Sequence, residues 1–277
     1  MCPIRPNNYL CLYFYFKEFM KQITHHRLLL IVLMLVFSFS QKEVKSQVNA
    51  NDSTISTFII YASYAFQIPG GDMANRFGMN STIGPGFSYK TNGNWIWTAE
   101  MNFIFGNDVL HSDEIIEGIS TDDGHLIGLD GTYANIRPME RGFTLFAKVG
   151  KIIPVFKMNP NSGLIFDFGM GYIQHKIKWD VENNNALQID GDYKKGYDRF
   201  SEGFSLSQSI GLFYLADSRI WNFKVNAEIV EGFTTMKRYN FDTMEGNTSS
   251  RIDLFYGLKV AWMIPLYGRA PKAIYYY

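Results

Sequence analysis

The chain has 277 residues, with 26 Lys and Arg against 26 Asp and Glu, and so a formal net charge of zero. Balanced charge argues against a nucleic-acid surface, which carries a basic excess. Aromatic residues make up 16% of the chain, more than a core of one domain or two small ones requires.

The N-terminal part is set apart from the fold. From Met20 the sequence shows a basic start (Lys21, Arg27), an apolar run from Leu28 to Phe39 and then a polar stretch with small residues. This predicts a secretory signal peptide cleaved after Ser46, with Val44 and Ser46 at the −3 and −1 positions. The rival reading is a retained anchor, but the run is shorter than the ~20 residues of a spanning helix. The expected organisation is an upstream extension and signal peptide at 1–46, a β-domain at 47–267 and an aromatic tail at 268–277. Cys2 and Cys11 precede Met20. The mature chain then has no disulfide, thiol nucleophile, lipid-modified cysteine or cysteine metal site.

Beyond residue 47 the apolar period is two, the mark of strands. Strands are expected at 55–68, 80–90, 94–105, 142–154, 164–180, 200–216, 220–235 and 251–266. Short turns at 91–93, 155–163 and 217–219 alternate with long polar loops at 69–79, 106–141, 181–199 and 236–250. Strict alternation of short and long is the layout of an up-and-down outer-membrane barrel, with tight periplasmic turns and longer external loops. The fold class predicted is all-β: an eight-stranded up-and-down antiparallel transmembrane β-barrel, integral to the outer membrane, with both termini periplasmic.

The faces sort cleanly. In "NWIWTAEMNFIF", Trp95, Trp97, Ala99, Met101, Phe103 and Phe105 share one face, and Ile96, Thr98, Glu100, Asn102 and Ile104 the other. Trp221, Phe223, Val225, Ala227 and Ile229 similarly oppose Asn222, Lys224, Asn226 and Glu228. A soluble ligand-binding barrel is apolar inside and polar outside; the large apolar face here suits lipid, with the polar face turned inward. The inward charges expected are Glu100, Lys148, Asp167, Lys224, Glu228 and Lys259, three acids and three bases. Buried charges need partners, and an eight-stranded barrel is just wide enough for its own side chains. A closed salt-bridge network is therefore expected, with an ion path as the functional alternative.

Other positions are candidates for binding or chemistry. Gln208 falls on the face of Phe204, Leu206, Ile210 and Leu212, so either a bulge re-aims it or that wall meets a protein partner. His175, Lys176 and Lys178 are expected at the outer rim. In "PGGDMANRFG", Asp72 is read as capping a helical turn ended by Gly78, and Asp72 and Arg76 as candidate partner contacts at a hairpin tip. Loop 106–141 holds His111, Ser112, Asp113, Ser120, Asp122, Asp123 and His125. These residue types suit a Ser–His–acid site, but no motif spacing supports one, and exposed loops have this composition by default. No metal or other cofactor is expected. Arg269, Tyr275, Tyr276 and Tyr277 in the tail are further candidate contacts.

The segments "QIPGGDMANRFGMNSTIGPGFSYKTNGNWIW", "MNFIFGND" and "FYGLKVAWMIPLYGRAPKAIYYY" resemble a family of small, porin-like outer-membrane β-barrel proteins from Bacteroidota. The resemblance implies location, fold and an accessory role in outer-membrane assembly or secretion machinery, with no catalytic residues. The function expected is a structural or accessory subunit that contacts outer-membrane lipid and a larger outer-membrane protein partner, and no nucleic acid. The alternatives are a small transport barrel for apolar molecules and, less favoured, a lipid-modifying enzyme.

Overall fold

The computed structural model describes residues 53–155, 159–182, 186–216, 220–246 and 250–267, all within the compact unit Gln47–Ala273. The predicted signal peptide and tail, including Arg269 and Tyr275 to Tyr277, lie outside the described residues.

The described residues form eight long strands: β1 (Thr57–Gly71), β2 (Asn80–Lys90), β3 (Trp95–Gly106), β4 (Ile136–Ile153), β5 (Gly163–Val181), β6 (Ser201–Tyr214), β7 (Phe223–Met236) and β8 (Ser250–Leu266). Each pairs antiparallel with its chain neighbours, and β1 closes on β8 from Phe58↔Leu266 to Gly71↔Asp253. The result is a closed eight-stranded barrel without a free edge. Among the described residues no helix is long and apolar enough to cross a membrane, which says nothing of strands.

The face assignment follows the pleat. Phe58, Ile60, Tyr64, Phe66 and Ile68 of β1 are exposed, as are Trp95, Trp97, Met101 and Phe103 of β3, while Tyr61, Ser63, Glu100 and Asn102 are buried. At a rise of about 3.3 Å per residue and a tilt of about 40°, the outward row from Phe58 to Ile68 spans about 25 Å, the height of the apolar band on a membrane barrel. Trp95, Trp97, Trp221, Trp262, Tyr89 and Tyr214 are exposed around the short-turn end. There Trp262 Nε1 donates to the Ile220 carbonyl at 2.6 Å, and the Lys151 ammonium lies 4.9 Å from the Trp95 ring centroid.

β4 begins at Ile136, six residues before the expected 142, while β5 keeps its expected span to within one residue at each end. Ile136 to Arg141 pair with Lys176 to Val181. The reason is a change of solvent. Beyond Tyr172 the outward positions of β5 become Gln174, Lys176, Lys178 and Asp180, while Ile177 and Trp179 stay buried inside. The strand continues as a water-facing sheet, charged outside and apolar inside, so the lipid-facing pattern ends where the strand does not.

Candidate functional site in the lumen and on the outer wall

Inward side chains form distinct layers. Near the short turns, Ile59, Ile96, Ile152, Ile165, Phe213, Ala261 and Met263 make an apolar cluster. Near the long loops, Ile104, Phe146, Ile173, Ile177, Val230 and Phe255 make another, joined by loop residues Met73, Phe77, Ile115 and Leu126. Between them Glu100, Lys148, Glu228 and Lys259 meet as a ring. Lys148 Nζ is 2.6 Å from Glu100 and also bonds Glu228; Lys259 Nζ is 2.9 Å from Glu100 and 2.6 Å from Glu228. Each lysine thus touches both carboxylates. The four side chains are only 2–5% exposed.

Neutral donors complete the ring. Tyr61 Oη donates to Glu100 Oε2 at 2.7 Å, Asn102 Nδ2 to Glu100 Oε1 at 3.2 Å, and Ser207 Oγ to Glu228 Oε1 at 2.8 Å. Asp167 and Lys224 form a separate ion pair, with Ser209 Oγ donating to Asp167 at 3.2 Å. Glu100, for which Lys148, Lys224 and Lys259 were all possible partners by parity, meets the first and third.

The loop after β1 folds into the mouth. Arg76, expected at a hairpin tip, turns inward. Its guanidinium donates to Asp253 at 2.9 Å, and its side chain is only 14% exposed. Met73 and Phe77 are buried beside it. Asp253 also accepts from His175 Nε2 at 2.9 Å and from Thr234 Oγ1 at 2.5 Å. His175 is therefore buried in the lumen, not at the rim. Strand parity indicates this, since Asp167, Ile173 and His175 share a face. Glu140, read as loop, is inward by parity with Thr144 and Lys148, and it accepts from Asn80 Nδ2 at 2.9 Å. Asp72 remains exposed but does not cap the 3-10 turn Asp72–Asn75; its carboxylate accepts from the Ile252 amide at 2.8 Å.

The connection after β4 enters the opposite end. Asn161 and Ser162 are fully buried there. Asn161 Oδ1 accepts from Lys90 Nζ at 2.8 Å and from the Ile55 amide at 2.9 Å, and Ser162 Oγ accepts from the Leu215 amide at 2.8 Å. Its Asn and Ser content reads as an ordinary turn, so nothing in the pattern announces this inward fold.

In the long loop, Ser112, Asp113, Asp123 and His125 line one pocket of about 550 Å³. The histidines are otherwise engaged: His111 bonds exposed Glu114 at 2.9 Å, and the His125 ring lies tilted against Tyr133 with centroids 4.7 Å apart. Among the described residues no Ser–His hydrogen bond forms there, and no three His, Cys, Asp or Glu gather as metal ligands.

The outer wall carries a recess among its large apolar side chains. Ala99 and Ala147 are direct partners, flanked in register by Phe87 and Met170. Together with Trp97, Tyr89 and Phe168 they line an almost wholly apolar trough of about 450 Å³. Gln208 lies beside it, exposed, in unbroken register with Phe168 and Ile229. No bulge re-aims it.

No family model and no curated protein matches the chain. Among solved structures it is similar to the attachment invasion locus protein Ail of Yersinia pestis, at 9% identity over 76% of this chain and 99% of that one, with a TM-score of 0.40. Neisserial surface protein A shows 9% identity over 75% and 98%, with a TM-score of 0.37. The N-terminal barrel domain of Pseudomonas aeruginosa OprF shows 9% over 75% and 98%, with a TM-score of 0.34. No function transfers at that likeness.

Proposed function

We propose that this protein is an integral outer-membrane barrel with a closed lumen, acting through its outer surface as an accessory subunit of a larger outer-membrane complex. The observation that carries the reading is the Glu100–Lys148–Glu228–Lys259 ring between two apolar clusters. Such a stack supports a filled lumen, and a filled lumen disfavours transport through it. Continuous pairing between β1 and β8 likewise disfavours a lateral opening for apolar molecules. The exposed aromatic and aliphatic band makes lipid the fitting solvent for the wall. Short turns and termini are read as periplasmic, and the long loops as external.

The partner is placed on the wall between β2 and β6. An apolar trough beside a polar amide offers shape and one directional bond, which lipid tails do not use. Small residues let another backbone approach closely, and packing together with interhelical or interstrand hydrogen bonds drives association within membranes. The test is extraction in mild detergent followed by co-purification, with a photo-crosslinker at position 208. The expected result is one discrete adduct that Ala147→Phe abolishes. Recovery only as an uncrosslinked monomer would overturn the accessory role.

A further inference from the structure

A second, cationic cavity of about 240 Å³ lies at the long-loop end, lined by Lys176, Lys178, Lys194, Lys195 and Arg238 with a single carboxylate, Asp198. Three separate segments build it: the end of β5, the 3-10 turn Tyr193–Gly196 and the residues after β7. Asp198 is consumed by Arg238, to which it is ion-paired. Lys195 meets Asp192 at 2.6 Å and Lys178 meets Asp180 at 3.4 Å, both as exposed pairs, which contribute little and exchange readily. Among the described residues neither Lys176 nor Lys194 forms an ion pair at contact distance, although Lys176 lies near Asp198 and Lys194 near Asp192. Five cations thus converge on a concavity lined by Asp198 and flanked by Asp180 and Asp192, which leaves a positive excess there.

Its height on the wall selects the ligand. Along the outward face of β5, Phe166, Phe168 and Met170 are exposed and apolar, Tyr172 marks the boundary, and Gln174, Lys176 and Lys178 follow. Lys176 stands about 13 Å along the strand beyond Tyr172, or about 10 Å higher once tilt is included. A lysine reaching sideways from that height meets the headgroup layer.

We propose that this cavity binds a phosphate monoester, and specifically the headgroup phosphate of a phosphorylated glycolipid in the surrounding leaflet. The inference rests on the membrane-spanning reading but not on the protein partner. A compact cavity with convergent ammonium groups and a guanidinium matches the charge and size of a phosphate. The neighbouring apolar band would hold the acyl chains of the same molecule. The occupant would bridge Lys176 with Lys194, adding to the bonds by which the Ile177 amide and Trp179 Nε1 already hold the Asp198 and Tyr197 carbonyls of this loop against β5.

The experiment uses the full chain in mild detergent, with binding measured by native mass spectrometry against bis-phosphorylated lipid A, its phosphate-free counterpart and inorganic phosphate. Bis-phosphorylated lipid A is expected to bind at least tenfold more tightly than the phosphate-free form. Each of Lys176→Gln and Lys194→Gln should weaken it about fivefold, and the Lys176→Gln/Lys178→Gln/Lys194→Gln variant about 100-fold. Lys237→Gln, an exposed change outside the cavity, should leave binding unaltered. Equal binding of the phosphate-free lipid, or an equal loss from Lys237→Gln, would overturn the site. Inorganic phosphate binding as tightly as the lipid would overturn the headgroup assignment. A heat-modifiability gel confirms that each variant is folded, and the single variants decide the matter if the triple variant is not. Loss of lipid binding in a chain that still inserts and still crosslinks its partner separates failure here from failure of the accessory role.

Discussion

Replacing Glu100 by leucine is the sharpest probe of the lumen. In the native ring two lysines share two carboxylates, with Glu100 bonded to Lys148, Lys259, Tyr61 and Asn102. Glu100→Leu leaves both ammonium groups on Glu228 alone, so one positive charge is uncompensated where side chains are 5% exposed or less. Removing one partner of a buried ion pair costs about 3–5 kcal/mol, and the orphaned Tyr61 hydroxyl adds about 1–3 kcal/mol. The expected loss is therefore at least about 3 kcal/mol. Adding Lys259→Met restores neutrality, leaves Lys148 with Glu228, and should recover about 2 kcal/mol or more as a coupling energy. The assay is urea unfolding in lipid vesicles, followed by tryptophan fluorescence and by the heat-modifiability gel. An unfolding midpoint for Glu100→Leu equal to the native one would refute the reasoning. So would a double variant no more stable than the single one.

Three further outcomes are expected. Gly86→Ala would place a methyl 2.0 Å from Cζ of the Tyr61 ring, displacing the hydroxyl from Glu100; a loss of about 1–3 kcal/mol is expected in the same unfolding assay, and an unchanged midpoint would contradict that contact. Asp253→Ala strands buried Arg76 and His175, and should cost about 3–5 kcal/mol while increasing proteolysis of the loop after β1; full native stability would show that the mouth is not held by this carboxylate. At the loop end, burial raises the carboxyl of Asp198 above its ordinary value, against the opposing pull of Arg238. A folded-state value above the unfolded one means that the native state holds its proton longer. This contribution is thus present at low pH and is lost as pH rises through the raised value. Native protein should then show a falling stability across that window that Asp198→Asn lacks, and identical pH slopes in thermal melts would refute it.

The eight strands were legible because lipid and lumen impose opposite demands on successive residues. The middle stretches of β3 and β7 carry that demand, from Trp97 to Phe103 and from Phe223 to Ile229, so their faces agree with the alternation, although β7 begins at Phe223 and not at 220. Legibility ended where the solvent changed. The rim of β4 and β5 faces water, which reverses the outward chemistry, and Glu140 and His175 were misplaced although their parity was intact. The inward folds at both ends were hidden for another reason. Arg76 and Asn161 sit in stretches rich in Gly, Asn and Pro, where local chemistry specifies a turn but not which way the turn points. The cationic cavity is still less visible, because Lys176, Lys194 and Arg238 meet only once β5, β6 and β7 have paired.

The ring poses a last question, why charge is kept where apolar filling would serve. Replacing a buried ion network by apolar side chains of similar volume is often neutral or stabilising, so stability alone does not explain it. Register does. A one-residue slip of any strand moves its inward set to the outer face, and a lysine at the bilayer midplane costs about 2–4 kcal/mol. Glu100, Lys148, Glu228 and Lys259 stand on four different strands, β3, β4, β7 and β8, so half of the barrel's strands are penalised for slipping. The combined variant Glu100→Leu, Lys148→Met, Glu228→Leu and Lys259→Met should therefore keep equilibrium stability within about 2 kcal/mol of native. It should also refold from urea into vesicles with a lower yield of the heat-modifiable form. A native yield from that variant would mean that the aromatic faces alone specify pairing and that the ring has another purpose.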